Sequence, residues 1–140
     1  MSIITYVPLL TPSYLKKWKS NFSEYNIRYY WKENTYFDIF LGEDIVGVCG
    51  LHKLNKHGSF LMRGTYILDS FRGKRLDLDG FTIHQLSIDY RIDQANKQGA
   101  RQIWVRCNRN SIKNYEAKGF KRTCDVERQY IPLCLTMNNL

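Results

Sequence analysis

The sequence predicts a mixed α/β or α+β layer fold built as one domain over residues 1–140. Two observations predict it. Several short runs are rich in β-branched and aromatic residues, which is typical of strands, whereas Leu76–Gln98 has no proline and repeats its apolar residues at a period close to that of a helix. The resulting order is strand, helix, three strands, long helix, strand, helix, strand. A chain with that order folds as a sheet packed against helices.

The predicted strands share β-branched and aromatic residues between turn-forming residues. They are Ile3–Leu9, Tyr36–Leu41, Ile45–His52, Ser59–Leu68, Ile103–Cys107 and Gln129–Leu135. The second and third strands form a hairpin around the turn that begins at Gly42. The stretch 21–34 is dense in aromatic and polar residues and predicts no single element.

The predicted helices are bounded by residues that favour helix ends. They are Pro12–Trp18, Leu76–Gln98 and Ser111–Lys118. Thr11 precedes Pro12, and proline is favoured at the first position of a helix. Gly99 and Gly119 follow the two later helices, where a glycine commonly ends a helix.

The chain is basic, with 21 Lys and Arg residues against 13 Asp and Glu residues and a net charge of +8. Such a charge favours polyanions, which include nucleic acid, anionic lipid and a phosphate-bearing cofactor; a soluble protein with a merely basic surface is the alternative. Residues 1–10 lack the features of a signal peptide, and no apolar run approaches the roughly 18–20 residues of a membrane span. We therefore expect a cytoplasmic protein that does not bind membranes.

The four cysteines lie far apart and include no Cys-x-x-Cys pair. Cys49, Cys107 and Cys134 each lie in an apolar, strand-like stretch. We therefore expect neither a zinc site nor a disulfide framework, but reduced thiols that pack as small apolar groups. No metal is expected.

Two segments contain residues suited to binding and catalysis. In the first, Ser70–Arg75, a glycine and three cations precede the long helix, so that backbone N–H groups and the helix dipole favour a bound phosphate; an ordinary basic loop is the alternative. The second, Asn108–Phe120, contains Tyr115, which in the simpler interpretation packs in the core beneath a capped surface helix. The small residues of Ile45–Gly50 permit the close approach of another strand.

The arrangement of these segments resembles the GNAT superfamily of N-acetyltransferases, including its phage-type members. In that family a strand leads into an Arg-Gly-x-Gly loop, and an Asn-x-x-Ala/Ser-x-x-x-Tyr-x-x-x-Gly-Phe segment follows. Asn108, Ser111, Tyr115, Gly119 and Phe120 match the second motif at family spacing. The resemblance covers roughly residues 36–124 and implies the acyl-CoA N-acyltransferase fold, a mixed, mostly antiparallel sheet flanked by helices.

The loop departs from the family pattern at two positions and in length. Arg75 replaces a glycine or alanine, and Ser70 replaces a glutamine or arginine. The stretch from Arg72 to Gly99 is also several residues longer than is usual in the family. Either the helix gains about two turns or Leu76–Gly80 enlarges the loop.

The resemblance implies acetyl-CoA as the cofactor and a set of site residues. These are Tyr115 and Asp69 as catalytic residues, and Ile67, Leu68, Arg72, Gly73, Lys74, Arg75, Asn108 and Ser111 as cofactor-binding residues. Tyr115 stands where the family has the general acid that protonates the departing thiolate. The loop Arg72–Arg75 would hold the pyrophosphate, backbone N–H groups of Ile67 and Leu68 would polarise the thioester, and Asn108 would bond the pantetheine arm or the chain after the strand.

The implied reaction is direct attack by a primary amine on the acetyl thioester. At pH 7 deprotonation costs roughly 4–5 kcal/mol for a lysine-like amine and about 1–1.5 kcal/mol for an α-amine, so a general base matters most for the former. The family's usual glutamate is missing from Ser59–Asp69. Four residues remain as candidate bases: Asp69, His52, Tyr66 and His84.

The acceptor and the partners stay open at this point. Aromatic residues in 21–31, together with Arg63, Trp104 and Arg106, are able to stack nucleic-acid bases, or they form a core with a solvated basic face. Three hypotheses follow: an N-acetyltransferase, a nucleic-acid-modifying transferase of the same fold, and a non-catalytic binding or structural protein. A homodimer is compatible with each of them.

Overall fold

The computed structural model describes residues 3–25, 27, 34–76, 80–123 and 130–137. Within them the strands are β1 Ile4–Pro8, β2 Asn34–Leu41, β3 Asp44–Lys53, β4 Ser59–Ile67, β5 Gln102–Cys107, β6 Lys121–Arg122 and β7 Ile131–Thr136. The helices are a 3-10 helix Pro12–Trp18, α1 Lys19–Glu24, a short 3-10 helix Asp69–Phe71, α2 Ile83–Lys97 and α3 Ile112–Glu116. The predicted fold class, a mixed sheet flanked by helices, is confirmed.

The seven described strands form one sheet in the order β1-β2-β3-β4-β5-β7-β6. Every neighbouring pair is antiparallel except β4 and β5, which are parallel. Parallel neighbours need a crossover connection, and α2 supplies it between β4 and β5. The sheet is therefore mostly antiparallel, as predicted.

Each face of the sheet is covered by a different set of helices. On one face, Ile88 of α2 packs in a fully buried cluster with Phe60 of β4 and Ile103 of β5. On the other face, Phe22 of α1 packs with Tyr36 of β2. Burying such side chains stabilises the fold by roughly 1.5–3 kcal/mol each, so both faces contribute to the core.

The predicted hairpin and the close approach of its second strand are both confirmed. Strands β2 and β3 pair from Asn34 opposite His52 to Leu41 opposite Asp44. A Cβ atom added at Gly47 would lie 2.6 Å from the carbonyl oxygen of Tyr66 on β4, which is too close for any side chain. Glycine at this position lets β3 and β4 pair closely.

A β-bulge at Gly64 changes which side chains of β4 face each helix layer. Val48 pairs with Tyr66 and Gly50 with Arg63, so β4 has one residue more than β3 between these pairs. Gly64 has φ of +68°, a left-handed conformation that disfavours side chains. Because of the extra residue, Met62 faces the α2 layer whereas Tyr66, four residues later, faces α1.

The long helix starts later than the hydrophobic period predicts. Helix α2 begins at Ile83 rather than Leu76, because Thr82 and Gln85 form a reciprocal capping box at that point. Of the two alternatives, the enlarged loop is therefore correct, with residues 77–79 outside the described part. The end of α2 agrees with the prediction: Gly99 follows it with φ of +79°.

Some sequence predictions fall partly outside the described residues. Outside the described part lie residues 26 and 28–33 of the unassigned aromatic stretch, and residues 124–129, which include Cys124 and Gln129, the first residue of the predicted last strand. Cys49 and Cys107 are buried and Cys134 is half-buried, each as a free thiol, as predicted. Among the described helices, none combines the length and the apolar character that crossing a membrane requires.

Candidate functional site

A groove opens where the two parallel strands stop pairing. Strands β4 and β5 pair only from Ser59 opposite Gln102 to Met62 opposite Val105, although both continue beyond that point. The groove between their diverging ends has a volume of about 1840 Å³. Its lining includes several predicted site residues, namely Ile67, Arg72, Gly73, Arg75, Asn108, Ser111 and Tyr115.

Of the two backbone amides predicted to polarise a thioester, one faces the groove. The N–H of Leu68 donates to the carbonyl oxygen of Val46 at 2.9 Å, so the prediction for Leu68 is wrong. Ile67 pairs with Gly47 next to that bond, and amides alternate in direction along a strand. The Ile67 N–H therefore points away from β3 and toward the gap between β4 and β5.

The predicted pyrophosphate loop is folded around Arg72. The Arg72 Nε atom donates to the Ile67 carbonyl at 2.7 Å, one of its terminal nitrogens lies 3.1 Å from an Asp69 carboxylate oxygen, and its guanidinium stacks over Tyr25 and Tyr66. These contacts use part of the five donors of a guanidinium. Gly73, the next residue, has φ of +68° with open space where a side chain would be.

The other two cations of the loop lie at different places. Arg75 lines the groove and donates to the Gly80 carbonyl oxygen at 2.9 Å. Its backbone pairs with that of Thr82, the N-cap of α2, so the enlarged loop returns Arg75 to the helix N-terminus. Lys74 lies over the Phe71 ring and is not among the described residues that line the groove.

Helix α3 presents the second motif at the end of β5. The side-chain oxygen of Asn108 accepts a hydrogen bond from the Ser111 N–H at 3.2 Å, so Asn108 bonds the chain after the strand, one of its two predicted roles. Tyr115 packs edge-on against Phe120 with ring centroids 5.5 Å apart and is 4% exposed. Tyr115 therefore belongs to the core and also lines the groove.

A group of hydrogen-bonded side chains from α2 and α3 surrounds the Tyr115 hydroxyl. The His84 Nε2 atom lies 3.3 Å from that hydroxyl, and the His84 Nδ1 atom lies 3.1 Å from the Asn114 amide nitrogen. The Gln85 amide nitrogen donates to the Asn114 side-chain oxygen at 3.2 Å. All four, with the N-cap Thr82, line the groove. We call Thr82, His84, Gln85, Asn114 and Tyr115 the hydrogen-bonded wall.

A fully buried arginine lies behind this wall. Arg91 of α2 donates to the Ser87 carbonyl at 3.2 Å and to the Gly50 carbonyl of β3 at 3.4 Å. Burial raises the pKa of Tyr115, while the nearby positive charge of Arg91 opposes that rise. Burial and the same charge lower the pKa of His84 from 6.5 to about 4. The imidazole is therefore neutral at pH 7.

The opposite side of the groove carries cations. Val105 and Cys107 point into the core, so Arg106 between them points to the other face, as Trp104 does. Arg63 follows the buried Met62 and shares that face. We call Arg63, Arg72 and Arg106 the arginine wall; all three line the groove.

Of the four candidate bases, His84 lies beside the acid, with its Nε2 atom 3.3 Å from the Tyr115 hydroxyl. Asp69 is not among the described groove-lining residues; it lies at the loop, within 3.4 Å of the Tyr25 hydroxyl and in an ion pair with Arg72. His52 is likewise outside the described lining, whereas Tyr66 lines it beneath Arg72. The described lining contains no Asp or Glu. The described residues also contain no cluster of three or more His, Cys, Asp or Glu side chains that could hold a metal.

Sequence reasoning missed Gln85, Arg91 and Asn114. The Thr82-x-x-Gln85 spacing is a capping-box signature, so it could have located the start of α2 and placed His84 in its first turn. A helix that starts there turns His84 toward Asn114. No comparable signal marks Arg91, since an arginine in a helix is most often exposed.

Solved structures of low sequence identity share this fold. A domain from Methanocaldococcus jannaschii is 21% identical over 98% of this chain and 100% of its own, with a TM-score of 0.73. The spermidine/spermine N-acetyltransferase of Vibrio cholerae is 15% identical over 95% of this chain and 93% of its own, with a TM-score of 0.73.

A third similar structure is the Campylobacter jejuni N-acetyltransferase PseH in complex with acetyl coenzyme A. It is 16% identical over 97% of this chain and 100% of its own, with a TM-score of 0.66. No protein-family model and no curated protein sequence matches the chain. The overlap with N-acetyltransferases along nearly their whole length shows that the chain has the GNAT fold.

Proposed function

We propose that the protein is an acetyl-CoA-dependent N-acetyltransferase that moves an acetyl group to a primary amine by direct attack. The observation that carries the proposal is the juxtaposition in one groove of the outward-facing Ile67 amide and the buried Tyr115 hydroxyl. The amide is placed to polarise a thioester carbonyl, and the phenol to protonate a sulfur leaving group. Neither role needs a metal or a second cofactor.

The residues present fit acetyl-CoA. The left-handed Gly73, with open space at its Cβ position, lets a phosphate approach the backbone. Arg72 retains donors beyond those bonded to Ile67 and Asp69, and Arg75 retains donors beyond the one bonded to Gly80. The bound cofactor supplies an electrophilic acetyl thioester. The chain holds the phosphates at the loop, orients the acyl group at Ile67 and keeps a proton at the Tyr115 oxygen.

The groove favours an acceptor amine of low pKa. Its described lining offers no carboxylate to take a proton. Deprotonating a lysine-like amine at pH 7 costs roughly 4–5 kcal/mol. An α-amine or aromatic amine needs far less, and water in the open groove accepts its proton. The rate should therefore rise with pH until it passes the pKa of the amine used.

A nucleic-acid acceptor is the second candidate, supported by the arginine wall. Arg63 and Arg106 follow directly after the last paired residues of β4 and β5 and project on the same face, where like charges favour an anion between them. Trp104 adds an aromatic surface on that face for base stacking. DNA binding that weakens steeply with salt would support this acceptor; binding absent at low salt would exclude it.

Calorimetric titration with acetyl-CoA tests the proposal. We expect saturable binding and an unfolding free energy raised by about 2.7 kcal/mol at 100 times the Kd. Gly73→Ala should weaken binding at least tenfold, because a Cβ blocks the backbone approach of the phosphate. Gly42→Ala is the matched control, since Gly42 has a similar φ of +62° and equally open space but lies in the β2–β3 turn.

The two variants separate backbone strain from cofactor contact. Both should lose similar stability, of about 1 kcal/mol, and only Gly73→Ala should lose affinity. Absence of binding to the unmodified protein at millimolar acetyl-CoA would reject the enzymatic proposal and favour a non-catalytic protein.

A further inference from the structure

The donor and the acceptor of each hydrogen bond in the hydrogen-bonded wall can be assigned in turn, starting from the backbone of Thr82. The Thr82 N–H donates to the Gln85 side-chain oxygen at 2.9 Å, which fixes that oxygen as the acceptor end of the amide. The other end, the Gln85 amide nitrogen, can only donate, and it does so to the Asn114 side-chain oxygen at 3.2 Å. The orientations of both amides therefore follow from one backbone N–H.

The hydrogen bond from Asn114 fixes the tautomer of His84. With its oxygen bonded to Gln85, Asn114 presents its amide nitrogen to His84 Nδ1 at 3.1 Å. An amide nitrogen is a donor only, so Nδ1 must be the acceptor and the neutral ring carries its proton on Nε2. That N–H lies 3.3 Å from the Tyr115 oxygen and donates to it.

The Tyr115 oxygen thus receives a hydrogen bond from His84. The Tyr115 ring is buried in the core, edge-on against Phe120. Because His84 donates to the oxygen, the hydroxyl proton must point away from His84, and the open direction is the groove that Tyr115 lines.

We propose that His84 is a positioning residue that accepts from Asn114, donates from Nε2 to Tyr115, and thereby directs the Tyr115 proton into the groove. The inference rests on the proposed acetyl transfer. When the Tyr115 O–H bond breaks, the proton forms the S–H bond of the departing thiol. The His84 Nε2–H then donates to the phenolate, which regains a proton from groove water, since the acceptor amine has released one there.

This arrangement excludes His84 as the general base. Its Nδ1 lone pair is engaged by Asn114 and its Nε2 already carries the proton, so the ring has no site for a proton from an amine. Among the residues that the structure describes, the titratable groups that act on the pair are Arg91 from α2, Cys107 from β5 and Cys49 from β3, and none of them is a carboxylate. His84 stays neutral while Tyr115 changes its protonation state.

Nitrogen-15 NMR of the three histidines in the unmodified protein tests the hydrogen-bond direction without any turnover. The His84 signals are assigned by their loss in His84→Gln. We expect the Nε2–H tautomer at pH 7 and no protonation down to pH 5. A Nδ1–H tautomer, or a charged ring at pH 7, would overturn the proposal even if acetyl-CoA binds.

Kinetics of His84→Leu and His84→Gln test the role. Leucine removes both ring contacts, whereas glutamine keeps one acceptor for Asn114 and one donor for Tyr115. We expect kcat to fall at least tenfold in His84→Leu and to recover most of that loss in His84→Gln, with the Kd of acetyl-CoA changed less than twofold in both.

The double variant His84→Leu/Tyr115→Phe distinguishes positioning from a general structural effect. If His84 acts through Tyr115, the double variant should be no slower than Tyr115→Phe alone. The proposal would be overturned if the fold-losses in kcat of the two single variants multiplied in the double variant. It would also be overturned if His84→Leu had the same kcat as the unmodified protein. If His84→Leu does not fold, the glutamine variant and the NMR result still decide. Failure of the unmodified protein to bind acetyl-CoA instead rejects the proposed function and, with it, this role.

Discussion

The two sides of the groove use polar side chains in opposite ways. The hydrogen-bonded wall is neutral, and its side chains bond to one another, with Tyr115 4% exposed. The arginine wall is charged and nearer to water: Arg72 is 38% exposed and stacks on two tyrosines. Where water is excluded, hydrogen bonds hold fixed directions, which suits proton transfer. Where water enters, charges attract an anionic group without fixing its position.

The same contrast appears in the two charged side chains that are buried in the described part of the chain. Asp38 of β2 is bonded to Lys17 and to the Trp18 indole N–H, so its charge is paired. Arg91 is fully buried, and it donates hydrogen bonds to the Ser87 and Gly50 carbonyls and to the Ser87 hydroxyl. A cation bonded to neutral oxygens keeps more of its field, and that field reaches His84 and Tyr115. Arg91 thus helps to keep the hydrogen-bonded wall neutral.

The largest effect should come from removing the hydroxyl of the neutral side. Tyr115→Phe keeps the packing against Phe120 and removes the proton donor, so kcat should fall by about 10² or more while acetyl-CoA affinity stays unchanged. Steady-state kinetics and calorimetry measure the two quantities. Unchanged turnover would show that Tyr115 is not the proton donor, and the hydrogen-bonded wall would then have no role in the chemical step.

The neutrality of that wall should also appear in the pH dependence of stability. The pKa of His84 is about 4 in the folded chain and about 6.5 when unfolded, so between these values the unfolded state binds more protons. The free energy of unfolding should therefore fall as the pH is lowered from 6.5 toward 4, by on the order of 3 kcal/mol from this residue.

The variant His84→Gln isolates the histidine's share of that loss. It should have a flatter stability profile over the same pH interval, measured by urea unfolding at each pH. Parallel profiles for the two proteins would mean that the folded structure does not lower the pKa of His84, and so does not keep the hydrogen-bonded wall neutral.

Changes to the arginine wall should alter recognition without altering chemistry. Arg106→Gln should raise the KM for an anionic acceptor by about tenfold, the worth of one charge-assisted hydrogen bond, with kcat nearly constant. The control is Arg122→Gln, an exposed position on β6 outside the groove lining. Equal effects of the two variants would point to net charge rather than to a binding position.

How far the sequence predicts the site differs between its two sides. The Asn108–Phe120 spacing located α3 and Tyr115 correctly, because the conformation of a short helix and its flanking turns is determined by residues that are close together in the sequence. The partners of Tyr115 come from α2, some 30 residues earlier, and depend on where that helix begins. Apolar periodicity placed that start at Leu76, whereas the capping residues place it at Ile83. Which backbone amide faces the groove depends on the β4 register, which no local pattern specifies.

The smallest predicted effect concerns the residue that starts α2. Thr82→Ala removes the acceptor for the Gln85 N–H and should lower the free energy of unfolding by about 1 kcal/mol. Thr11→Ala is the matched control, because Thr11 precedes the first 3-10 helix but makes no side-chain cap bond, and it should cost less than half as much. The two are compared by denaturant unfolding at pH 7. Because the Gln85 orientation also holds Asn114, Thr82→Ala should in addition reduce kcat a few-fold, whereas a loss of stability with unchanged kcat would mean that the Thr82 backbone N–H alone maintains the wall.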